Sequence, residues 1–131
     1  MISGIELLQS ADSKSEKHVP VIEASDKTKK SEVIAIKVTI GKEIPHPNTT
    51  AHHIARASIY FLPQGEKFPY EVARFEFSAH GSSGKGADTS SVYTQPAAAC
   101  SFRSDKSGTV IAIAYCNIHG LWQSAKELTV E

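Results

Sequence analysis

Residues 109–116, TVIAIAYC, are apolar on both faces of an extended chain. A run of this length and composition is typical of a central strand that is covered from both sides. Four further runs alternate between apolar and polar residues with a period of two, which indicates half-buried strands. They lie at residues 33–40, 54–62, 71–79 and, more weakly, 97–103. Short strands are also predicted at residues 18–22, with Pro20 on a sheet edge, and at residues 127–131.

Turn-forming residues separate these runs, and no stretch longer than about two turns has a helical period. The charged residues 27–32 are predicted to form a hairpin loop, and Ile5, Leu7 and Leu8 a short helical turn. About seven short strands predict an all-β fold, an immunoglobulin-like β-sandwich. A single domain is expected over residues 1–131, with residues 1–14 as an N-terminal extension. A closed barrel is the structural alternative.

The composition argues against several classes of protein. Fourteen basic residues cancel fourteen acidic ones, which argues against nucleic acid as a partner. The apolar runs are too short to span a membrane, and the start of the chain lacks a secretory signal. We therefore expect a cytoplasmic protein with no membrane partner. The only cysteines, Cys100 and Cys116, are too few for a disulfide framework.

Six histidines in a neutral chain of 131 residues are either a chance excess of surface imidazoles or part of a metal site. His18 begins the first predicted strand, and His46 and His52 flank the loop HPNTTAH. Cys116 and His119 end the central strand in YCNIHG. An isolated Cys-x-x-His pair is weak evidence, but three separate segments offer ligands here beside structural turns. The combination favours a metal site.

The donor set narrows the choice of metal. Four imidazoles and one thiolate exceed the four ligands of a structural zinc site. Blue copper requires an axial methionine, and the only methionine is Met1. A rubredoxin-type iron site requires four cysteines, and the chain has two. The residues favour a nitrogen-rich site with a single thiolate and one open position, for which iron is the natural choice.

Three segments resemble motifs of the superoxide reductases. They are EKHVPV at residues 16–21, GKEIPHPNTT at residues 41–50 with His52 and His53 following, and YCNIHGLW at residues 115–122. The likeness runs in register from about Ile5 to the C-terminus. The likeness is to the one-iron, neelaredoxin type of superoxide reductase. The two-iron desulfoferrodoxins have an additional N-terminal domain with four cysteines, and nothing like it is seen in this sequence.

The resemblance implies a mononuclear non-haem iron, one per chain, on an immunoglobulin-like sandwich. Its ligands would be four equatorial histidines and one axial cysteine, namely His18, His46, His52, His119 and Cys116. Glu16 and Lys17 would be catalytic. The glutamate would occupy the sixth position of the oxidised iron, and the lysine would attract superoxide and support a proton-donating water. His53 and His80 are not ligands in the family, and Cys100 is expected to pack in the core.

The implied activity is the detoxifying reduction of superoxide to hydrogen peroxide by an oxidoreductase. An external donor, rubredoxin or another small electron-transport protein, would then reduce the iron again. One-iron members often form tetramers, so a homotetramer is expected. Two alternatives remain open on the residues alone: an iron-containing electron carrier with a closed site, and a non-catalytic β-sandwich binding module.

Overall fold

Strands make up most of the regular structure of residues 3–131, the part of the chain that the computed structural model describes. Met1 and Ile2, the first residues of the predicted N-terminal extension, lie outside this range. One helix, α1 (Gly4–Leu7), precedes the strands β1 (Pro20–Glu23), β2 (Lys27–Thr28), β3 (Ile34–Ile40), β4 (Ile54–Pro63), β5 (Tyr70–Glu76), β6 (Ala97–Phe102), β7 (Gly108–Cys116) and β8 (Gly120–Val130). Within residues 3–131, no helix has the length and hydropathy needed to cross a membrane.

The strands form two sheets. The smaller sheet has the order β1-β3-β6, and the larger has the order β2-β8-β7-β4-β5. Neighbouring strands are antiparallel, except that β2 runs parallel to β8. Two separate sheets confirm the predicted all-β sandwich and exclude the closed barrel.

The core lies between the two sheets. Ile36, Val38 and Ile40 contribute to it from β3, and Ile59 and Val110 from β4 and β7, each at most 1% exposed. Buried and exposed residues alternate along the first part of β3, as the period of two predicts. Burying one such side chain is worth about 1.5–3 kcal/mol, so this layer supplies much of the favourable free energy of folding.

Strand β7 lies in the middle of the larger sheet, between β4 and β8, which confirms its prediction as a central strand. The prediction that both of its faces are covered is wrong. Its residues alternate between buried and half-buried along the whole strand. Within the described residues 3–131, no second sheet lies against the outer face. Ile5 and Leu8 of the N-terminal segment border the groove that this face lines near Ile113 and Tyr115.

Of three further predictions about the strands, one holds and two are wrong in part. Pro20 does lie on an edge strand, where its missing N–H breaks no ladder. The predicted loop at residues 27–32 is wrong in part, since Lys27 and Thr28 form β2 against the end of β8. The last strand spans eleven residues rather than five. Its side chains are mostly half-buried on both faces, so no period of two marks its first half.

The packing around Gly108 gives a prediction for the fold. A methyl group added there would lie 2.7 Å from Cζ of Phe61 and would overlap the carbonyl oxygen of Leu62. We expect Gly108→Ala to destabilise the protein by about 2–3 kcal/mol in urea unfolding, because backbone of β4 cannot move aside cheaply. The control is Gly84→Ala, whose methyl group would meet no atom within 4 Å. An equal loss in both variants would contradict the packing argument.

Candidate metal centre

The predicted ligands lie at one end of the sandwich. His18 precedes β1, His46 and His52 lie between β3 and β4, Cys116 ends β7, and His119 lies in the turn to β8. Antiparallel pairing brings these positions together, because the end of one strand meets the start of its neighbour. Pro20 pairs with Ile40 in the small sheet, and Cys116 pairs with both Ile54 and Gly120 in the large one.

Two glycines shape the loops that hold the histidines. Gly41 has a φ of +77°, and a Cβ at this position would lie 2.6 Å from the backbone nitrogen of His46. Only glycine allows the chain to fold back so closely there. Gly120 has a φ of +81° and lets β8 begin immediately after His119. The β7–β8 turn thereby keeps Cys116 and His119 on the same side.

Four of the predicted ligands form a tight cluster. Single donor atoms of His18, His52, Cys116 and His119 all lie within 4.8 Å of one another. Nδ1 of His119 is 3.2 Å from Nε2 of His18 and 3.2 Å from Nε2 of His52. It is 3.8 Å from Sγ of Cys116. Three imidazole nitrogens and one sulfur therefore converge on a common space.

His46, the fifth predicted ligand, lies beside this cluster. Its ring packs edge to face against His18 and His52, with centroids 4.8 and 4.7 Å apart. Its Nε2 is buried and has no hydrogen-bond partner. A buried polar atom without a partner is costly and calls for an explanation, such as a bound ion. The orphaned nitrogen fits a site in which His46 binds a metal with the other four residues.

Oxygen acceptors behind the rings fix which nitrogen faces the cluster. Nδ1 of His18 donates to Oε1 of Glu16 at 2.5 Å. Nδ1 of His46 donates to the carbonyl oxygen of Pro47 at 2.6 Å. Because each of these Nδ1 atoms has a proton, the Nε2 lone pair is free to face inward. Such outer acceptors orient metal-binding histidines and raise their basicity as ligands.

The electrostatics keep two of the predicted ligands, His46 and His52, uncharged at neutral pH. Burial lowers the pKa of His46 to about 4, with repulsion from His18, His52 and Lys17 acting in the same direction. Burial also lowers the pKa of His52, again with repulsion from neighbouring histidines and Lys17. An unprotonated imidazole is the form that binds a metal, so no proton has to be displaced from these rings.

Glu16 and Lys17 both lie next to the cluster. Glu16 accepts hydrogen bonds from the backbone and the ring of His18, and these bonds outweigh its partial burial and lower its pKa. The carboxylate is thus directed at the outer side of His18. Lys17 is half-buried, and its charge lies near enough to lower the pKa of both His46 and His52.

The cluster is buried on one side and open on the other. Cys116 is fully buried and His18 is nearly so, whereas His119 is exposed and the neighbouring Ile118 is 58% exposed. The sulfur of Cys116 accepts the backbone N–H of His119 at 3.3 Å, which stabilises a thiolate. A small solute can therefore reach the cluster from the exposed His119 side, while the sulfur itself stays buried.

Trp122 is a residue of the site that the sequence did not single out. Its indole stacks on the ring of His18, with centroids 4.8 Å apart and an interplanar angle of 14°. Its Nε1 donates to the carbonyl oxygen of His119 at 3.2 Å. The side chain thus supports two predicted ligands at once. The only sequence signal that could have identified Trp122 was its place in the YCNIHGLW segment.

The remaining histidines pair with each other. The rings of His53 and His80 stack with centroids 3.6 Å apart and an interplanar angle of 4°. His53 also donates from Nδ1 to the carbonyl oxygen of Thr49 at 2.9 Å, and His80 contacts Asn48 and Phe77. Adjacent residues His52 and His53 therefore have different partners, one in the cluster and one behind its loop.

Comparison with known proteins identifies relatives over nearly the full chain. A family model described as desulfoferrodoxin matches residues 10–125. The superoxide reductase of Pyrococcus furiosus is 52% identical over 126 residues, covering 96% of this chain and 98% of that protein. The neelaredoxin of Megalodesulfovibrio gigas is 44% identical over 126 residues, covering 96% and 97%. A solved superoxide reductase (neelaredoxin) from Archaeoglobus fulgidus, in the reduced form, has a TM-score of 0.88 and 55% identity, covering 95% of this chain and 99% of that one.

The different partners of His52 and His53 give a prediction about metal binding. We expect His52→Ala to weaken Co²⁺ binding by at least roughly 100-fold, more than the loss of an outer hydrogen bond usually does. His53→Ala is the matched control and should change the affinity by less than about threefold. The measurement is competition with a chromophoric chelator. Equal losses would show that His52 is not a ligand, or that His53 holds it in place.

Proposed function

The chain belongs to the desulfoferrodoxin family, and from that premise we propose that it is a superoxide reductase. This enzyme adds one electron and two protons to superoxide and forms hydrogen peroxide. The observation that carries the proposal is the convergence of histidine nitrogens and one buried thiol at an accessible end of the sandwich. A non-catalytic binding module has no need of such a cluster.

The donor set fits an iron centre. Imidazole and thiolate both suit iron, and the orphaned Nε2 of His46 supplies a donor that a four-ligand zinc site would leave unused. We assign the ligands as His18, His46, His52, His119 and Cys116. Within residues 3–131 there is one such cluster, which supports one iron per chain. When bound, iron supplies the electron by passing from the ferrous to the ferric state.

The residues around the cluster have separate tasks. Glu16 holds the ring of His18 through the 2.5 Å bond to Nδ1, and Trp122 packs on the face of the same ring. The N–H of His119 stabilises the negative charge on Cys116. Lys17 attracts the superoxide anion to the open side and orients a water that donates a proton. Superoxide is small, so access past the exposed His119 is sufficient and no deep pocket is required.

The family also suggests the setting of the reaction. We propose rubredoxin, or a similar small redox protein, as the electron donor, and a homotetramer as the assembly. An apolar groove beside α1, in which Ile5 is 82% exposed, supports contact between chains on the outer face of the large sheet. We place the protein in the cytoplasm, because a thiol at Cys100 that forms no disulfide suits a reducing compartment.

The activity is tested by stoichiometry. Iron-loaded protein with an electron donor should form about one hydrogen peroxide per superoxide consumed and no dioxygen, whereas a dismutase forms about half as much peroxide. Cys116→Ser should abolish this activity and the visible sulfur-to-iron absorption. Cys100→Ala is the matched control and should keep both, since burial raises the pKa of the Cys100 thiol and keeps it protonated. Dioxygen release by the wild-type protein would contradict the proposal.

The charges beside the cluster give a separate prediction for pulse radiolysis over a salt series. Lys17→Ala should slow the second-order reaction with superoxide on the order of threefold to tenfold and flatten its salt dependence, with iron still bound. Lys106→Ala, which removes the same charge at the opposite end of β7, should leave the rate unchanged. Glu16→Ala removes the acceptor that holds the ring of His18 but no positive charge, so it should keep the reaction fast and shift the final ferric spectrum. If Glu16→Ala slowed the reaction with superoxide and Lys17→Ala did not, the roles assigned to these two residues would be wrong.

A further inference from the structure

The side chain of Asn117 extends from the β7–β8 turn and forms hydrogen bonds with the loop that contains His52. Its Nδ2 donates to the carbonyl oxygen of Ala51 at 2.9 Å. Its Oδ1 accepts the backbone N–H of His53 at 2.9 Å. These two backbone groups belong to the residues on either side of His52. A single amide thus holds both ends of the peptide that presents this histidine.

The backbone of Asn117 adds a third connection. Its N–H donates to the carbonyl oxygen of His53 at 3.2 Å. Within its own loop, His52 is tied at both its N–H and its carbonyl oxygen to Thr49, at 3.0 and 2.9 Å. The loop around His52 is therefore a locally closed turn, and Asn117 attaches that turn to the end of β7. The residue before Asn117 is the buried Cys116.

We propose that Asn117 is a positioning residue for His52, fixing the His52 ring at the distance from Cys116 and His119 that metal binding requires. The inference rests on the proposed ligand set but concerns the affinity of the site rather than its reaction. It follows from the two flanking hydrogen bonds and from the short span between Asn117 and both Cys116 and His119.

The chemistry of the side chain suits this task. Asparagine offers a donor and an acceptor on one short, neutral group, and both are used here. Aspartate would face the Ala51 carbonyl with a second acceptor and would add a negative charge where a neutral amide now lies. Ala51 is exposed and His53 is half-buried, so water can replace a lost amide at their backbone groups. Water satisfies those groups without fixing a distance. We therefore expect the loss to appear mainly in metal affinity.

A double-mutant cycle tests the coupling between Asn117 and His52. The dissociation constant of Co²⁺ is measured by chelator competition for Asn117→Leu in three backgrounds: wild type, His52→Ala and His46→Ala. In the wild-type background we expect a loss on the order of 10-fold to 100-fold, typical of an outer-shell partner. In the His46→Ala background the same factor should persist. In the His52→Ala background it should fall below about twofold, because the residue through which Asn117 acts is gone.

Each of the other possible outcomes would contradict one part of the proposal. An equal factor in all three backgrounds would show that Asn117 acts on the turn as a whole and not through His52. If Asn117→Leu did not weaken Co²⁺ binding in the wild-type background, Asn117 would have no positioning role. An unchanged affinity in His52→Ala alone would overturn the ligand set, and with it the proposed function, independently of Asn117.

Folding is checked separately, by urea unfolding of each apo variant. Asn117→Gln has the same groups one methylene farther from the backbone and takes the place of Asn117→Leu in the cycle if the latter does not fold. It should show the same pattern of losses. The Co²⁺–thiolate absorption should remain in both variants, because neither removes Cys116.

Discussion

The site depends on lone pairs that face one another. Nδ1 of His119 lies 3.2 Å from Nε2 of His18 and 3.2 Å from Nε2 of His52, and the Nε2 of His46 is buried without a partner. Such an arrangement is unfavourable on its own and becomes favourable when a cation lies among the donors. Oxygen acceptors outside the cluster fix it, because Glu16 and the carbonyl of Pro47 accept hydrogen bonds from the Nδ1–H groups of His18 and His46.

The strand pairing makes this arrangement possible. The small sheet supplies the His18 and His46 segments through the β1–β3 pair, and the large sheet supplies the others through the pairing of β7 with β4 and β8. The register shifts between Ile54 and Arg56, so a β-bulge lies immediately after the His52–His53 segment. Bulges commonly redirect a strand end beside a functional site, and here the loop that leads into β4 lies next to Cys116.

The sequence predicted the sandwich well where one face of a strand is buried and the other is not. Strands β3 and β4 are examples, since their apolar residues recur with a period of two. The first half of β8 escaped prediction because its side chains are half-buried on both faces, and its register is set by the turn at Gly120. The five candidate ligands were named from their motifs and a family resemblance. Their convergence depends on strand pairing between distant segments, and so do the contacts of Trp122 and Asn117, which no local pattern reveals.

The charge around the site explains how a chain without net charge can attract an anion. The fourteen basic and fourteen acidic residues cancel over the whole molecule, so a net charge cannot draw superoxide to it. A divalent ion bound by one thiolate and neutral histidines has a net charge of about +1, and the ammonium group of Lys17 adds a second positive charge nearby. Screening limits attraction between exposed charges to roughly 10 Å at 0.1 M salt. Under the proposed function, capture would therefore depend on the few groups at the open side of the cluster, with Cys116 buried behind them.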